Sequence, residues 1–208
     1  MSAETVTVPI FPLPNIVFFP ETVLPLHIFE PRYKEMIAAA LEENSPLGVV
    51  QLKPGWDQNY YGNPPVYRLL GVGEIVSSHR WDDGRYDIIL AGKHRARIVE
   101  ESQRGQYRMA QVEYLEDITP TAKTPDLEEN YSALRQLFDQ IVASLPEAAQ
   151  AIRPEAWTDP SPGVLADLLA HTLVDNAYDK QSILAELDVA RRLALVRVQM
   201  NSVMKPNL

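Results

Sequence analysis

Pro9-Ile10-Phe11-Pro12-Leu13-Pro14-Asn15-Ile16-Val17-Phe18-Phe19-Pro20-Glu21-Thr22-Val23-Leu24-Pro25-Leu26-His27-Ile28-Phe29-Glu30-Pro31-Arg32-Tyr33 is the stretch on which the fold turns. Pro12, Pro14, Pro20 and Pro25 have no amide to donate, so Leu13 to Leu26 is not a regular central strand. Its large apolar residues (Ile16, Val17, Phe18, Phe19, Val23, Leu24, Leu26) still require it to be pinned to a core. Pro31 sits where a first helical turn accepts proline. From there Tyr33, Met36, Ile37, Ala40 and Leu41 recur at spacings of three and four, which predicts one short amphipathic helix.

On either side of that stretch the pattern is that of strands. Thr5–Ile10 alternates apolar and polar residues, and Gly48–Leu52 reads as a buried strand. Asp82-Asp83-Gly84 predicts a tight hairpin between Gly73–Trp81 and Arg85–Leu90, because Asp-Gly tolerates positive φ. Arg95–Val99 and Tyr107–Tyr114 add two more strands, giving a twisted, partly closed antiparallel barrel with one helix. The texture changes at Thr119–Pro125, a linker or sharp corner. Beyond it, Leu127–Ser144 has a helical face of Leu127, Tyr131, Leu134, Phe138, Ile141 and Val142. A second helix starts at Ser161-Pro162. A last one, capped by Asp179, has a core face through Ile183, Leu184, Leu187, Ala190, Ala194, Leu195 and Val198. The expected fold class is therefore α+β, with a β-rich subdomain over residues 1–118 and a helical bundle over 125–208.

Composition narrows the functions. The 208-residue chain is 46% hydrophobic and 23% charged, an ordinary balance for a globular protein. It has no cysteine, which excludes disulfides and thiolate chemistry and is compatible with a reducing compartment. No lysine or arginine precedes Arg32, and no apolar run approaches the ~20 residues of a membrane span, so a cytoplasmic location without membrane contact is expected. A formal charge of −9 disfavours nucleic acid as a partner, since phosphate neutralisation dominates non-specific affinity. The chain has no Gly-x-Ser-x-Gly elbow, His-Glu-x-x-His pair or phosphate loop. His27, His79, His94 and His171 are scattered without metal-ligand spacing. No cofactor and no catalytic residue are expected.

The opening stretch resembles the signature of the Lon N-terminal domain family: a Phe-Pro-Leu start, a Phe-Pro pair before Leu-Pro-Leu, and Ile-Phe-Glu-Pro-Arg-Tyr turning into a helix. Gly71-Val72-Gly73-Glu74-Ile75, the Asp-Gly hairpin, Gly92–Ile98, Tyr107–Glu113 and Lys180–Glu186 are similar to later segments of the family in the same order. Glu21 departs from it, standing where many members carry Gly. The chain as given stops at Leu208, so the ATPase and Ser-Lys protease modules of a full-length Lon are not expected. The resemblance implies a pseudobarrel of the PUA-like type followed by a helical bundle. It also implies a role in holding unfolded or tagged polypeptide segments, with a protease or chaperone as the working partner.

Within the motif, Glu30 is expected to satisfy the first-turn amides beside Pro31, and Arg32 to pair with a neighbouring carboxylate; the alternative is a clamp on a ligand backbone. His27, Phe29 and Tyr33 are expected in the core. The peptide-binding candidates are Trp56, Tyr60 and Tyr61, aromatic residues among the polar ones of Lys53–Pro65, with Trp81 extending the surface. A competing arrangement folds these rings back as a lid on the core. Lys93, Arg95 and Arg97 alternate along one strand, so they share a face that would serve an alternative RNA-binding module or a plain solvated surface.

Overall fold

Thr5-Val6-Thr7-Val8 continues without a break into Pro9–Leu13. The structure, a computed structural model, makes this one strand, β1 (Thr5–Leu13). It describes residues 5–121, 124–145 and 157–203, so part of the linker expected at Thr119–Pro125 lies outside the described residues. The chain divides into two compact units, Met1–Leu115 and Glu116–Leu208. Its architecture is mixed α+β.

In the first unit β1 is followed by β2 (Val23–Ile28), α1 (Pro31–Glu43), β3 (Leu47–Gln51), β4 (Leu69–Arg80), β5 (Tyr86–Arg104) and β6 (Tyr107–Leu115). The sheet order is β2-β5-β4-β3-β1-β6, and β6 pairs back onto β5, so five strands form a closed circuit. What permits this is the length of β5. The separate strands expected at Arg85–Leu90 and Arg95–Val99 are one 19-residue strand, which meets β2 along Tyr86–Ala91 and β6 along Arg95–Arg104. The circuit is not wholly antiparallel as expected: β1 and β3 run parallel, because β2 and α1 between them supply the crossover that parallel pairing needs. Pro25 is tolerated because β2 lies at the end of the sheet order.

The proline-rich segment is pinned as its apolar residues require. Phe18 and Phe19 are fully buried, and their carbonyls lie so close to β4 and β5 that a Cβ at Gly71 or Gly92 would collide with them. Glu21 adopts φ +56° to complete the turn, its amide donating to Gly92 O at 3.0 Å while the Thr22 hydroxyl donates to Phe19 O at 2.7 Å. A left-handed glutamate costs about 1 kcal/mol, and those two bonds offset it. Tyr33, Met36, Ile37 and Ala40 of α1 join Phe11, Phe18 and Ile28 in one core cluster, whereas Leu41 is exposed.

The second unit contains α2 (Pro125–Ser144), α3 (Pro162–Leu173), α4 (Ala177–Ala185) and α5 (Val189–Val203). Thr124 caps α2 and Ser161 caps α3. The single last helix expected from Asp179 onward is two helices. Asn176, not Asp179, caps α4, and Asp188 accepts the amides of Ala190 and Arg191 at the start of α5. That break resets the helical phase, so Val189, Leu193, Val196 and Met200 are buried while Leu195 and Val198 are 40% and 64% exposed. Arg192 is fully buried on the same helix. Its guanidinium donates to Asp117 and, at 2.9 Å, to Glu186 O, with Asp167 Oδ1 3.4 Å from Nε.

Candidate functional site

The Glu30-Pro31-Arg32 corner opens α1 in a way its sequence does not announce. Glu30 is the N-cap residue with extended backbone, yet its side chain makes no capping bond, contrary to expectation. Proline at the first helical position leaves fewer amides to satisfy, and the carboxylate turns outward instead. It accepts from the Tyr60 hydroxyl at 2.6 Å and from Arg32 Nε at 3.1 Å. The expected pairing of Arg32 with a neighbouring carboxylate is thus present. The Arg32 guanidinium also lies 4.6 Å from the Tyr33 ring centre, 5.0 Å from Tyr60 and 5.9 Å from Tyr61, and Nη1 reaches Tyr60 O at 3.4 Å. One arginine therefore ties the helix corner to the Lys53–Pro65 loop. Burial first, and then the bond to Glu30, hold the Tyr60 hydroxyl above its ordinary pKa, so it stays a donor throughout the physiological range.

The loop itself divides between the two arrangements expected of it. Trp56 opens a short 3-10 turn, Trp56–Asn59, and packs edge-on against Tyr60 at 5.6 Å; both rings lean on the core cluster of Val50, Leu52 and Val66. Tyr61 instead stands 87% exposed, edge-on to Tyr60 at 5.2 Å. Phe29, expected in the core, is 62% exposed, because the strand-to-helix corner turns it away from Ile28 and Tyr33, which are buried. Arg108 fixes the far end of the loop, donating to Pro64 O at 2.8 Å while its other nitrogens meet Glu101.

Between corner, loop and the β5–β6 turn lies a cleft of about 600 Å³. Phe29, Arg32, Tyr60 and Tyr61 are on one side, Gln103, Gln106 and Tyr107 on the other, with Pro12, Pro31 and Pro64 filling the walls. Gln103, Gln106, Tyr107 and Arg108 escaped the sequence reading. The available signal was Arg104-Gly105-Gln106, whose glycine takes φ +56° and brings the turn to the cleft.

Trp81 is not part of this cleft. Its Nε1 donates to Asp87 Oδ2 at 2.8 Å and its ring meets His79 edge-on at 4.9 Å. His27, expected in the core, is exposed beside it, with Nδ1 2.5 Å from Asp87 Oδ1. Alternation explains the outcome: in β2 Ile28 takes the inward position, leaving His27 outside. The His27 contact first, then Trp81, keep Asp87 below the usual carboxylate range.

The shared basic face of Lys93, Arg95 and Arg97 is not found. Pairing shifts register between Val72/Gly73, so that Lys93 is the extra residue of a bulge, and alternation fails there. Arg95 is only 3% exposed, and Arg97 is held by Glu113 at 2.5 Å. Among the described residues, no group of three or more His, Asp or Glu could hold a metal ion, and no helix is long and apolar enough to cross a membrane.

A family model described as the ATP-dependent protease La (LON) substrate-binding domain matches residues 7–202. The chain belongs to the Lon substrate-binding domain family. Lon protease 2 of Myxococcus xanthus is 30% identical over 193 residues, covering 93% of this chain and 23% of that protein. Lon protease of Escherichia coli K12 is 28% identical over 207 residues, covering 96% and 25%. The Lon substrate-binding domain seen here thus spans about a quarter of the length of these curated relatives. Among solved structures, a Lon N-terminal domain protein from Xanthomonas campestris matches with a TM-score of 0.66 at 21% identity, covering 93% of this chain and 98% of that one. The N-terminal domain of a Mycobacterium avium complex Lon protease matches with a TM-score of 0.65 at 19% identity. These two establish a shared fold. The relatives align with the substrate-binding portion of Lon, not with an ATPase or protease module.

Proposed function

We propose that this Lon substrate-binding domain holds unfolded or tagged polypeptide segments in the cleft between Phe29, Tyr61 and Gln106, and performs no bond-making of its own. The closed strand circuit is read as a PUA-like pseudobarrel and the second unit as a helical bundle. The setting is the cytoplasm, with a protease or chaperone receiving the held chain. The observation that carries the reading is the pair of large rings, Tyr61 and Phe29, left in solvent at the rim of a concave site whose other aromatics are fixed. Exposed rings over rigid neighbours offer contact area at little entropic cost, which suits weak binding of many sequences.

The test is titration of a permanently denatured model client into the wild type and into Tyr61→Ala and Phe29→Ala. Each substitution lowers affinity about tenfold, the value of one well-placed ring. Both side chains are exposed, so folding is spared. Unchanged affinity in both variants removes the cleft as the site.

A further inference from the structure

We propose that the segment this cleft prefers is uncharged, proline-containing chain in the extended polyproline conformation, an inference that rests on the cleft being the holding site. The charges in the walls are already spent. Glu30 is engaged by Tyr60 and Arg32, and Arg108 is engaged by Glu101 and Pro64 O. A ligand charge would therefore find no free partner in the walls and would lose its water on entry, so charge matching selects a neutral occupant.

The polar groups left over point the same way. The Tyr61 hydroxyl and the side-chain amides of Asn63 and Gln106, all on exposed residues, can donate at the cleft as well as accept, so they can serve a chain that offers carbonyls alone. Polyproline chain is such a ligand. It has a carbonyl at every residue, no amide donor at its prolines, and no internal hydrogen bonds to break. Strand addition is disfavoured, because the strand residues lining the cleft already have partners: Pro12 pairs with Val50 of β3 and has no amide to offer, Gln103 of β5 pairs with Arg108 of β6, and Tyr107 pairs with Arg104. A docked helix, ~10 Å across, needs an apolar groove along its length, whereas this cleft of about 600 Å³ is interrupted by amides. What the walls supply is flat ring faces held by neighbours. Tyr60 and Tyr61 stand edge-on at 5.2 Å with the Arg32 guanidinium over both. Aromatic-lined grooves with side-chain donors are the general solution for recognising that conformation.

The experiment uses the full chain and three probes: an acetylated, amidated decaproline peptide, an acetylated, amidated decapeptide of Ser, Gln and Phe, and the denatured client. Calorimetry gives affinities, and amide chemical shifts locate binding. Decaproline is expected to shift residues around Phe29, Tyr61, Asn63 and Gln106 and to bind at least about fivefold tighter than the Ser/Gln/Phe peptide. Tyr61→Ala and Gln106→Ala are each expected to weaken it by about fivefold, and Tyr61→Phe by less, since the ring remains. Unchanged melting curves of these surface variants keep a loss of binding from being a loss of fold. If the Ser/Gln/Phe peptide binds the cleft as well as decaproline does, the polyproline preference is overturned while peptide holding stands. Decaproline binding elsewhere on the chain also overturns the preference. If none of the three probes binds, both readings fall.

Discussion

At the scale of single residues, the site is organised by what Glu30 does instead of capping its helix. Its carboxylate joins Tyr60 and Arg32 into one network, so Tyr60→Phe, which keeps the ring and removes only the 2.6 Å bond, isolates that network. The expected loss is about 1.5 kcal/mol in urea denaturation, the low end for a hydrogen bond to a charged acceptor. An equal loss in a Glu30→Ala background would show that the two groups are not coupled. Sequence identified Glu30, Arg32 and Tyr60 as candidates and anticipated a carboxylate beside Arg32, but it missed the bond between Tyr60 and Glu30, which is made by a loop contact 30 residues away. His171 carries a pH prediction. Burial first, and then Lys180, hold its imidazole below the usual pKa, and among the described residues its buried Nδ1 finds no hydrogen-bond partner. The unfolded chain therefore binds a proton more readily than the folded one, and stability falls as pH drops below ~6.5. Thermal melts between pH 7.5 and 5.5 should show a decline for the wild type that is shallower in His171→Gln. Parallel curves would exclude His171 as a source.

At the scale of elements, the sequence told which segments are strands and helices better than it told their phase. Alternation breaks wherever pairing slips by one residue, and it does so at Val76, Lys93 and Val99. These bulges turn two valines outward and undo the basic stripe. No local residue signals them, since a bulge is set by the partner strand. The α4–α5 break had the same effect on helical phase, whereas the cap at Ser161 is local chemistry and was legible; Thr124, read as linker, also proves to be a cap. Two substitutions test the packing. Gly71→Ala forces a methyl into the Phe18 carbonyl, a backbone atom that cannot yield without moving the pinned segment. A loss of about 3 kcal/mol or more is expected, read as a lowered denaturant midpoint. Arg192→Met removes the cation facing Asp117 and the buried Asp167 and strands their charges, with an expected cost of ~3–5 kcal/mol in the same measurement. A loss below 1 kcal/mol would mean that water reaches the acids.

At the scale of the whole molecule, the thiol-free composition excluded disulfide and thiolate chemistry but located nothing, because composition carries no coordinates. The opening motif was long enough to point to the family, and the family model spans nearly the entire chain. Yet every residue lining the cleft, from Pro12 to Arg108, lies within the first compact unit, Met1–Leu115. That unit has its own buried clusters and a sheet whose pairings all lie within it, as a domain able to fold alone should. A fragment of residues 1–115 is therefore expected to fold cooperatively and to bind the denatured client within about twofold of the full chain's affinity, a difference of under 0.5 kcal/mol. Circular dichroism melting establishes the fold and calorimetry the affinity. A folded fragment with affinity reduced tenfold or more would mean that the helical unit contributes contacts to the held segment, and the cleft would then be only part of the site.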